Sequence, residues 1–341
     1  MKKLLNTLYV STQGVYLHRE SETLLAELNR QIILRLPIHT LSSIVCFGNI
    51  LVSPFLLGLC AERGIHLSFL TENGRFLAHI DGGPTGNVLL RKTQILTACD
   101  PTKSAALARS FIIGKILNSR AILQRRLRDH GPDPTCTTAI THLANVAQRL
   151  KLIPDDLEAI RGLEGEAAAA YFNAFNSMLV AQTTDFHITD RNRRPPRDPM
   201  NALLSFLYTL LAHDCIGAAK SVGLDAQVGF LHALRPGRSS LALDLMEEFR
   251  APLADRLALS LINRAQLHKK DFRTTESGAV EMSDTARKTV LTEWQNRKRE
   301  EVLHPFLNER IPIGLLPFGQ AQLLARTLRG DLDAYPPFLV K

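Results

Sequence analysis

The first 90 or so residues alternate short apolar runs with turn-forming residues, a pattern typical of β-strands. The Asn73-Gly74 pair between two apolar runs favours a β-hairpin. One helix is predicted at 54–63, where Ser53 and Pro54 resemble an N-cap followed by proline at the first helical position. The predicted strands are 7–11, 15–18, 23–28, 32–37, 42–48, 66–70 and 75–80.

The period of the pattern changes after Asp81-Gly82-Gly83-Pro84, and long segments rich in Ala, Leu and Arg follow. Their apolar spacing predicts helices to the end of the sequence. The fold class is therefore α+β, with an N-terminal β-rich domain at 1–88 and a larger all-α C-terminal domain at 89–341. The predicted helices are 104–128, 138–149, 155–161, 164–180, 199–213, 239–249, 253–264, 283–298 and 320–329.

Residues 36–61 carry no Lys, Arg, Asp or Glu and could be mistaken for a membrane span. Because Ser53-Pro54 divides this run into a strand and a short helix, we expect no membrane segment. Asn6 and Thr7 interrupt the apolar stretch that follows Lys2 and Lys3, so a signal peptide is not expected either.

The five cysteines lie far apart, with no CxxC pair and an odd count, which argues against a disulfide framework and a structural zinc site. The reducing cytoplasm suits such a protein best. Lys and Arg total 41 against 33 Asp and Glu, a formal charge of +8, which favours a polyanionic partner such as nucleic acid. With 45% hydrophobic residues, the charge belongs to a folded protein and not to a disordered basic tail.

Glu164 and Glu166 are predicted to open a helix in the run LEGEAAAAYF. Acidic residues in a first helical turn can simply complement the helix dipole, and alanines simply favour helix. In the functional interpretation, the small alanines let another backbone approach, and a carboxylate is enclosed at the helix start. The residues alone leave both interpretations open.

His232 lies in GFLHALRPGRSS, next to Arg235 and Arg238. A lone histidine in such a setting is more often a hydrogen-bonded core residue than a ligand. After Ser239-Ser240, which are plausible N-caps, Asp244 and Glu247 are three residues apart and share one face of a helix. That face can equally be solvent-exposed, and the pattern does not choose between Glu247 and Glu248.

Several carboxylates plus one neutral imidazole, without thiolates, form a ligand set that Mg²⁺ or Mn²⁺ prefers over structural zinc. Such an ion polarises a phosphodiester and lowers the pKa of an attacking hydroxyl or water.

A proline-stiffened loop at 191–197 presents four arginines ahead of an apolar helix. A solvated charge cluster is the simplest interpretation, but restricted arginines equally suit contacts with a phosphate backbone or a closing flap. The two arginines in the loop after His232 also suit phosphate contacts. The candidate DNA-binding residues are Arg191, Arg193, Arg194, Arg197, Arg235 and Arg238.

These motifs together resemble those of the CRISPR adaptation integrases, the family called "Cas one". The family's EGxAAxxYF motif is matched from Glu164 to Phe172, and its RRPPxDPxNALLSFxY segment from Arg193 to Tyr208. Its third motif, Gly-Phe-Leu-His before a helix with two acids, is matched by Gly229 to His232 and then Asp244 and Glu247. The RGD segment at 329–331 and the ending YPPFLVK are similar to the subtype that accompanies type I-C systems.

The resemblance implies an N-terminal dimerisation domain and a C-terminal catalytic domain that binds a divalent metal, Mg²⁺ or Mn²⁺. It also implies a homodimer that assembles with a small adaptation protein, "Cas two", on double-stranded prespacer and repeat DNA. The implied reaction is transesterification, in which a prespacer 3′-hydroxyl attacks a repeat phosphodiester, and family members also cleave branched DNA. The catalytic residues implied are Glu164, His232, Asp244 and Glu247, with Glu164, His232 and Glu247 as metal ligands.

One departure concerns the second acid of the pair, which is often aspartate in relatives and is Glu247 here. We therefore expect Asp244 to be either an additional ligand or a residue that orients a ligand. Two other functions remain open: a stand-alone structure-selective nuclease that uses water as nucleophile, and a non-catalytic DNA-binding scaffold.

Overall fold

The computed structural model describes residues 7–41, 43–72, 76–80, 88–192 and 195–340. The chain divides into two compact units, Met1–Thr85 and Gly86–Lys341. The first unit is rich in strands and the second is mostly helical, so the predicted α+β fold class is confirmed.

The described residues of the first unit form two four-stranded sheets, one α-helix and a 3₁₀ turn at Ile38–Thr40. In one sheet the order is β1-β5-β7-β8, with β1, β5 and β7 parallel and β8 antiparallel to β7. In the other the order is β4-β3-β2-β6, with β2, β3 and β4 antiparallel and β6 parallel to β2. The elements are β1 (Thr7–Val10), β2 (Tyr16–Glu20), β3 (Thr23–Leu28), β4 (Gln31–Pro37), β5 (Ser43–Phe47), β6 (Leu51–Val52), α1 (Pro54–Glu62), β7 (His66–Leu70) and β8 (Phe76–Ile80).

Apolar side chains of both sheets and of α1 form the core of this unit; Leu17, Ile44, Leu56 and Leu67 are fully buried in it. Within the uncharged run at 36–61, β5 is the predicted strand and α1 the predicted helix, and the short strand β6, which was not predicted, lies between them. Ser53 caps α1 by accepting a hydrogen bond from the backbone nitrogen of Leu56 at 3.1 Å. The predicted turn at Asn73-Gly74 lies outside the described residues.

The second unit is built of nine helices among its described residues, with two short hairpins between them. Its helices are α2 (Val88–Cys99), α3 (Pro101–His130), α4 (Pro134–Leu152), α5 (Leu157–Asn173), α6 (Pro199–Ser221), α7 (Ser240–Met246), α8 (Arg256–Asn263), α9 (Asp284–Arg299) and α10 (Leu316–Arg329). The hairpins pair β9 (Phe272–Thr274) with β10 (Val280–Met282) and β11 (Glu301–His304) with β12 (Glu309–Pro312).

Two long helices, α3 and α6, provide much of the buried framework of this unit. Aspartates cap both: Asp100 accepts from the backbone nitrogens of Thr102 and Lys103, and Asp198 from that of Asn201. Among the described helices, α6 is long and apolar enough to cross a membrane, but 78% of its apolar window is buried inside the structure. Such burial is typical of the core helix of a folded protein.

Three local predictions were wrong. The helix break predicted between 161 and 164 does not exist, because α5 runs without interruption through Gly162 and is held by its contacts with α3 and α4. Ser239 makes no side-chain cap, and the hydroxyl of Ser240 donates instead to the carbonyl oxygen of Ala233 at 2.9 Å. The break predicted between the helices 239–249 and 253–264 does not exist either, because a 3₁₀ turn (Glu247–Phe249) and one π-helical turn (Arg250–Asp255) connect α7 to α8.

Candidate active site

A cavity of about 770 Å³ opens in the helical unit between α3, α5, α6 and the segment from Leu231 to Asp255. Glu164, His232 and Glu247 line it, although about eighty residues separate the first from the last. Its charged and aromatic lining residues are Lys115, Arg161, Glu164, Tyr171, Phe172, Asp190, Arg191, Tyr208, His232, Arg235, Arg238, Glu247, Arg250 and Asp255.

Asp244 is fully buried and fixes the position of His232. Its carboxylate accepts hydrogen bonds from the backbone nitrogens of Phe230 (2.5 Å), Leu231 (3.1 Å) and His232 (3.0 Å). Its Oδ1 also lies 2.6 Å from Nδ1 of the His232 ring. Because both oxygens of Asp244 already accept from backbone N–H groups, Nδ1 is the donor in this contact, and Nε2 faces Oε1 of Glu247 at 3.9 Å.

Gly229 makes this arrangement possible. A Cβ at that position would lie 2.7 Å from the carbonyl carbon of Ser240 and 2.8 Å from Oδ2 of Asp244. Both distances are shorter than real Cβ contacts, so any larger residue would push residues 230–232 away from Asp244. The glycine of the Gly-Phe-Leu-His motif therefore allows the segment at 229–232 to pack closely against the start of α7.

Glu247 is held between two cations. Its Oε1 lies 2.9 Å from Nη2 of Arg250 and 3.9 Å from Nε2 of His232, and its Oε2 lies 2.9 Å from Nζ of Lys115. Burial alone would raise the pKa of Glu247, but Arg250, Lys115 and His232 together lower it to about 2. The carboxylate is therefore ionised at neutral pH.

Glu164 lies in the middle of α5 and not at a helix start. It is half-buried, and its Oε1 accepts a hydrogen bond from Nζ of Lys115. The ammonium of Lys115 thus contacts Glu164 on one side and Glu247 on the other.

The sequence pattern left Glu166 as an alternative to Glu164 and Glu248 as an alternative to Glu247, but both lie outside the cavity. Glu166 pairs with Arg149 at 2.8 Å and His142 at 3.0 Å on the outside of α5. Glu248 points away from the cavity toward the C-terminal segment, where Gln320, Tyr335 and the backbone nitrogen of Phe338 donate to it. Neither residue lines the cavity.

The donors in the cavity fit a hard divalent cation, since two carboxylates and one imidazole Nε2 face the same space. Oε2 of Glu247 is buried, and the ammonium of Lys115 lies 2.9 Å from it, so a cation already occupies this position. Among the described residues, no three His, Cys, Asp or Glu side chains already stand close enough to hold a metal ion. Lys115 lies between the two carboxylates, so a metal would have to replace its ammonium.

The predicted arginines have different positions. Arg191, Arg235 and Arg238 line the cavity, and Arg197 is exposed outside it. The guanidinium of Arg191 lies over the rings of Phe172 and Tyr208, at 5.8 Å and 5.3 Å from their centroids. Arg193 and Arg194 lie outside the described residues.

Sequence reasoning missed an aromatic and acidic group next to the candidate metal ligands. Asp255 ends the π-helical turn and accepts from the hydroxyls of Tyr208 at 2.6 Å and Tyr171 at 3.0 Å. Burial raises the pKa of Asp255 to about 6, although both hydroxyls and the nearby Arg191 and Arg250 oppose this rise. Tyr171 lies in the EGxAAxxYF motif and Tyr208 in the RRPPxDPxNALLSFxY segment, so the motifs could have identified both tyrosines as candidate site residues.

Lys115 and Arg250 were also missed. Arg250 follows Glu247 by three residues, a spacing that favours a salt bridge on a helix, and its guanidinium lies 4.8 Å from the ring centroid of Tyr208. Lys115 is one of several basic residues in a long helix, and nothing local in the sequence distinguishes it.

Comparison with known proteins agrees with these motifs. The family model described as "CRISPR associated protein Cas1" matches residues 8–296. The CRISPR-associated endonuclease Cas1 1 of Chlorobaculum tepidum is 52% identical over 343 residues, which cover 99% of each chain.

Two solved structures have the same fold. A Cas6-RT-Cas1–Cas2 complex contains a chain with a TM-score of 0.83 and 22% identity, covering all of this chain and 37% of that one. A casposase bound to integration product has a TM-score of 0.80 and 23% identity, covering 98% of this chain and 93% of that one.

The predicted family and endonuclease activity are thus confirmed, while the type I-C subtype stays a prediction. With a family model that matches most of its length and a relative 52% identical from end to end, this chain belongs to the Cas1 family of CRISPR-associated endonucleases.

Proposed function

We propose that this chain captures new CRISPR spacers by joining prespacer 3′-hydroxyls to repeat phosphodiesters, and that it needs Mg²⁺ or Mn²⁺ to do so. The observation that carries the proposal is the convergence of Glu164, Glu247 and Nε2 of His232 on one cavity lined by arginines. This donor set suits phosphodiester chemistry, in which a divalent ion neutralises charge on the transferring phosphorus and lowers the pKa of the attacking hydroxyl.

The protein's own side chains divide the remaining work. Asp244 holds the proton of His232 on Nδ1, so that Nε2 is the ligand atom, and Arg250 keeps Glu247 ionised. Arg191, Arg235 and Arg238, which line the cavity, would bind phosphates of the incoming DNA. In the reaction, the prespacer 3′-hydroxyl gives up its proton and its oxygen forms a bond to phosphorus. The bond from phosphorus to the 3′-oxygen of the repeat strand breaks, and that oxygen takes up a proton.

We propose Glu164, His232 and Glu247 as the metal ligands and Asp244 as the residue that positions His232. Each carboxylate oxygen of Asp244 already accepts from two nitrogen donors. Asp244 is therefore poorly suited to bind a metal directly.

The proposed partners are double-stranded prespacer and repeat DNA and a Cas2-type protein, in the cytoplasm. The Cas1-like chain in the Cas6-RT-Cas1–Cas2 complex and the casposase bound to integration product support this assignment by their shared fold. We further propose that the strand-rich N-terminal domain, 1–88, mediates homodimerisation and that 89–341 carries out the chemistry.

An assay with labelled prespacer, supercoiled repeat plasmid and the Cas2-type partner tests this function. We expect metal-dependent appearance of label in the plasmid. Cleavage of the plasmid without joined label would identify a stand-alone nuclease that uses water. Binding without cleavage or joining, with Mg²⁺ and with Mn²⁺, would identify a DNA scaffold.

A further inference from the structure

Lys115 occupies the space between the two proposed carboxylate ligands. It lies near the middle of α3, and its side chain is only 16% exposed. Its ammonium contacts Oε1 of Glu164 and lies 2.9 Å from Oε2 of Glu247, two residues carried by different elements. A cation at this position offsets the repulsion between the two carboxylates before any metal is bound.

A divalent ion and this ammonium would compete for the same oxygens. Two cations a few ångströms apart repel each other strongly at a half-buried site. Metal entry at Glu164 and Glu247 therefore requires Lys115 to withdraw. Its flexible four-carbon stem allows such a movement, because an ammonium is a point charge that no planar geometry holds in place.

Arg250, the other cation at Glu247, is less free to move. Its guanidinium lies over the ring of Tyr208 and donates to Oε1 of Glu247 from the π-helical turn. Lys115, and not Arg250, is therefore the cation that a metal would replace.

A displaced ammonium needs a new anionic partner. Of the other two acidic residues that line the cavity, Asp255 already accepts from two tyrosine hydroxyls and Asp190 is exposed. The remaining charged lining residues are arginines and His232. A phosphate of bound DNA would supply the missing negative charge.

We propose that Lys115 is an exchangeable internal cation, which holds Glu164 and Glu247 together in the free protein and moves to a DNA phosphate when metal takes its place. This inference rests on the proposed metal site. Metal binding and DNA binding would then strengthen each other. DNA draws the ammonium of Lys115 away from the two carboxylates, and metal releases that ammonium to bind a DNA phosphate. By linkage, DNA must strengthen metal binding by the same factor as metal strengthens DNA binding.

The test measures Mn²⁺ affinity by electron paramagnetic resonance of the free ion, with and without a short duplex that lacks 3′-hydroxyls, after subtracting binding to DNA alone. The variants are Lys115→Met and, as a control on the same helix, Lys103→Met, whose side chain is 70% exposed. Thermal unfolding establishes that each variant is folded.

In the wild type and in Lys103→Met, we expect DNA to tighten Mn²⁺ binding about tenfold, within the usual range of coupling between sites. Lys115→Met should bind Mn²⁺ about tenfold more tightly than wild type without DNA and gain little from DNA. Equal affinities of wild type and folded Lys115→Met, or weaker binding by the variant, would overturn the inference. Absence of Mn²⁺ binding in all three proteins, with and without DNA, would instead contradict the metal site itself.

Discussion

Glu247 and Glu248 are consecutive in the chain, but their carboxylates face opposite environments. Glu247 lies between Lys115 and Arg250 at the cavity, and Glu248 is enclosed by Gln320, Tyr335 and the backbone of Phe338. Burial acts on both, yet the pKa of Glu247 falls to about 2 because cations surround it, whereas that of Glu248 rises to about 8. Their different surroundings separate a candidate ligand from a buried structural acid.

Stability should therefore depend on pH through Glu248. Its pKa rises from the ordinary value of 4.5 to about 8 in the folded protein, chiefly because of burial. The folded state holds a proton that the unfolded state releases between these two values, so the free energy of unfolding should fall as pH rises from about 4.5 to 8.

Glu248→Gln removes this titration. Urea unfolding at pH 5 and at pH 8.5 should show that wild type loses stability relative to Glu248→Gln by a few kcal/mol between the two conditions. Parallel pH dependence of the two proteins would show that Glu248 is ionised throughout in the folded state.

Gly229→Ala should disrupt the site, because the added Cβ meets Asp244 and the backbone of Ser240. We expect a loss of about 1–3 kcal/mol in urea unfolding, together with weaker Mn²⁺ binding. Gly165→Ala is the matched control: it lies in α5 with nothing within 4 Å of its Cβ, and it should stabilise by about 0.5–1 kcal/mol. Equal effects of the two substitutions would contradict the close approach at Gly229.

Asp244→Asn tests the positioning of His232. An amide placed among four nitrogen donors can accept through its oxygen only, and its NH₂ group faces a donor. We expect Mn²⁺ affinity to fall about 10- to 100-fold, as for other residues that orient a metal ligand. Asp284→Asn, at an exposed position at the start of α9, should leave it unchanged. Metal affinity equal to that of wild type in Asp244→Asn would show that His232 needs no such support.

Arg235 is an exposed cation at the cavity, and Arg235→Gln should weaken DNA binding similarly for all sequences. If it contacts one phosphate, the slope of log affinity against log salt concentration should fall by about one. Arg264→Gln, an exposed arginine after α8, removes the same charge as a control. Identical salt slopes for the two variants would show only a general effect of net charge.

Much of the fold could be predicted because its signals are local. The cap at Ser53 and the strands at 23–28 and 66–70 follow from residues within a few positions of each other. The break predicted at Gly162 failed because packing of α5 on α3 and α4 outweighs the low helix propensity of one glycine. The two short hairpins in the helical unit were missed, since three- and four-residue strands give little alternation to detect.

Fewer features of the candidate site than of the fold could be predicted from the sequence. Spacing identified the Asp244 and Glu247 pair, but resemblance to a family was needed to choose Glu164 over Glu166. Lys115 gave no signal, because its role depends on contacts with Glu164 and Glu247, which are distant in sequence. The division between Asp244 and Glu247 likewise depends on backbone donors at 230–232 that only the folded chain brings together.

We propose that Glu164 binds the metal used in strand joining. Glu166, two residues further along α5, instead pairs with Arg149 and His142 outside the cavity. The most direct test compares Glu164→Gln with Glu166→Gln for joining of labelled prespacer and for Mn²⁺ affinity. Glu164→Gln should lower joining by several orders of magnitude and weaken metal binding, with DNA binding largely kept, because the metal acts mainly on the transition state. Glu166→Gln should resemble wild type, and equal joining by folded Glu164→Gln and wild type would contradict the proposed site.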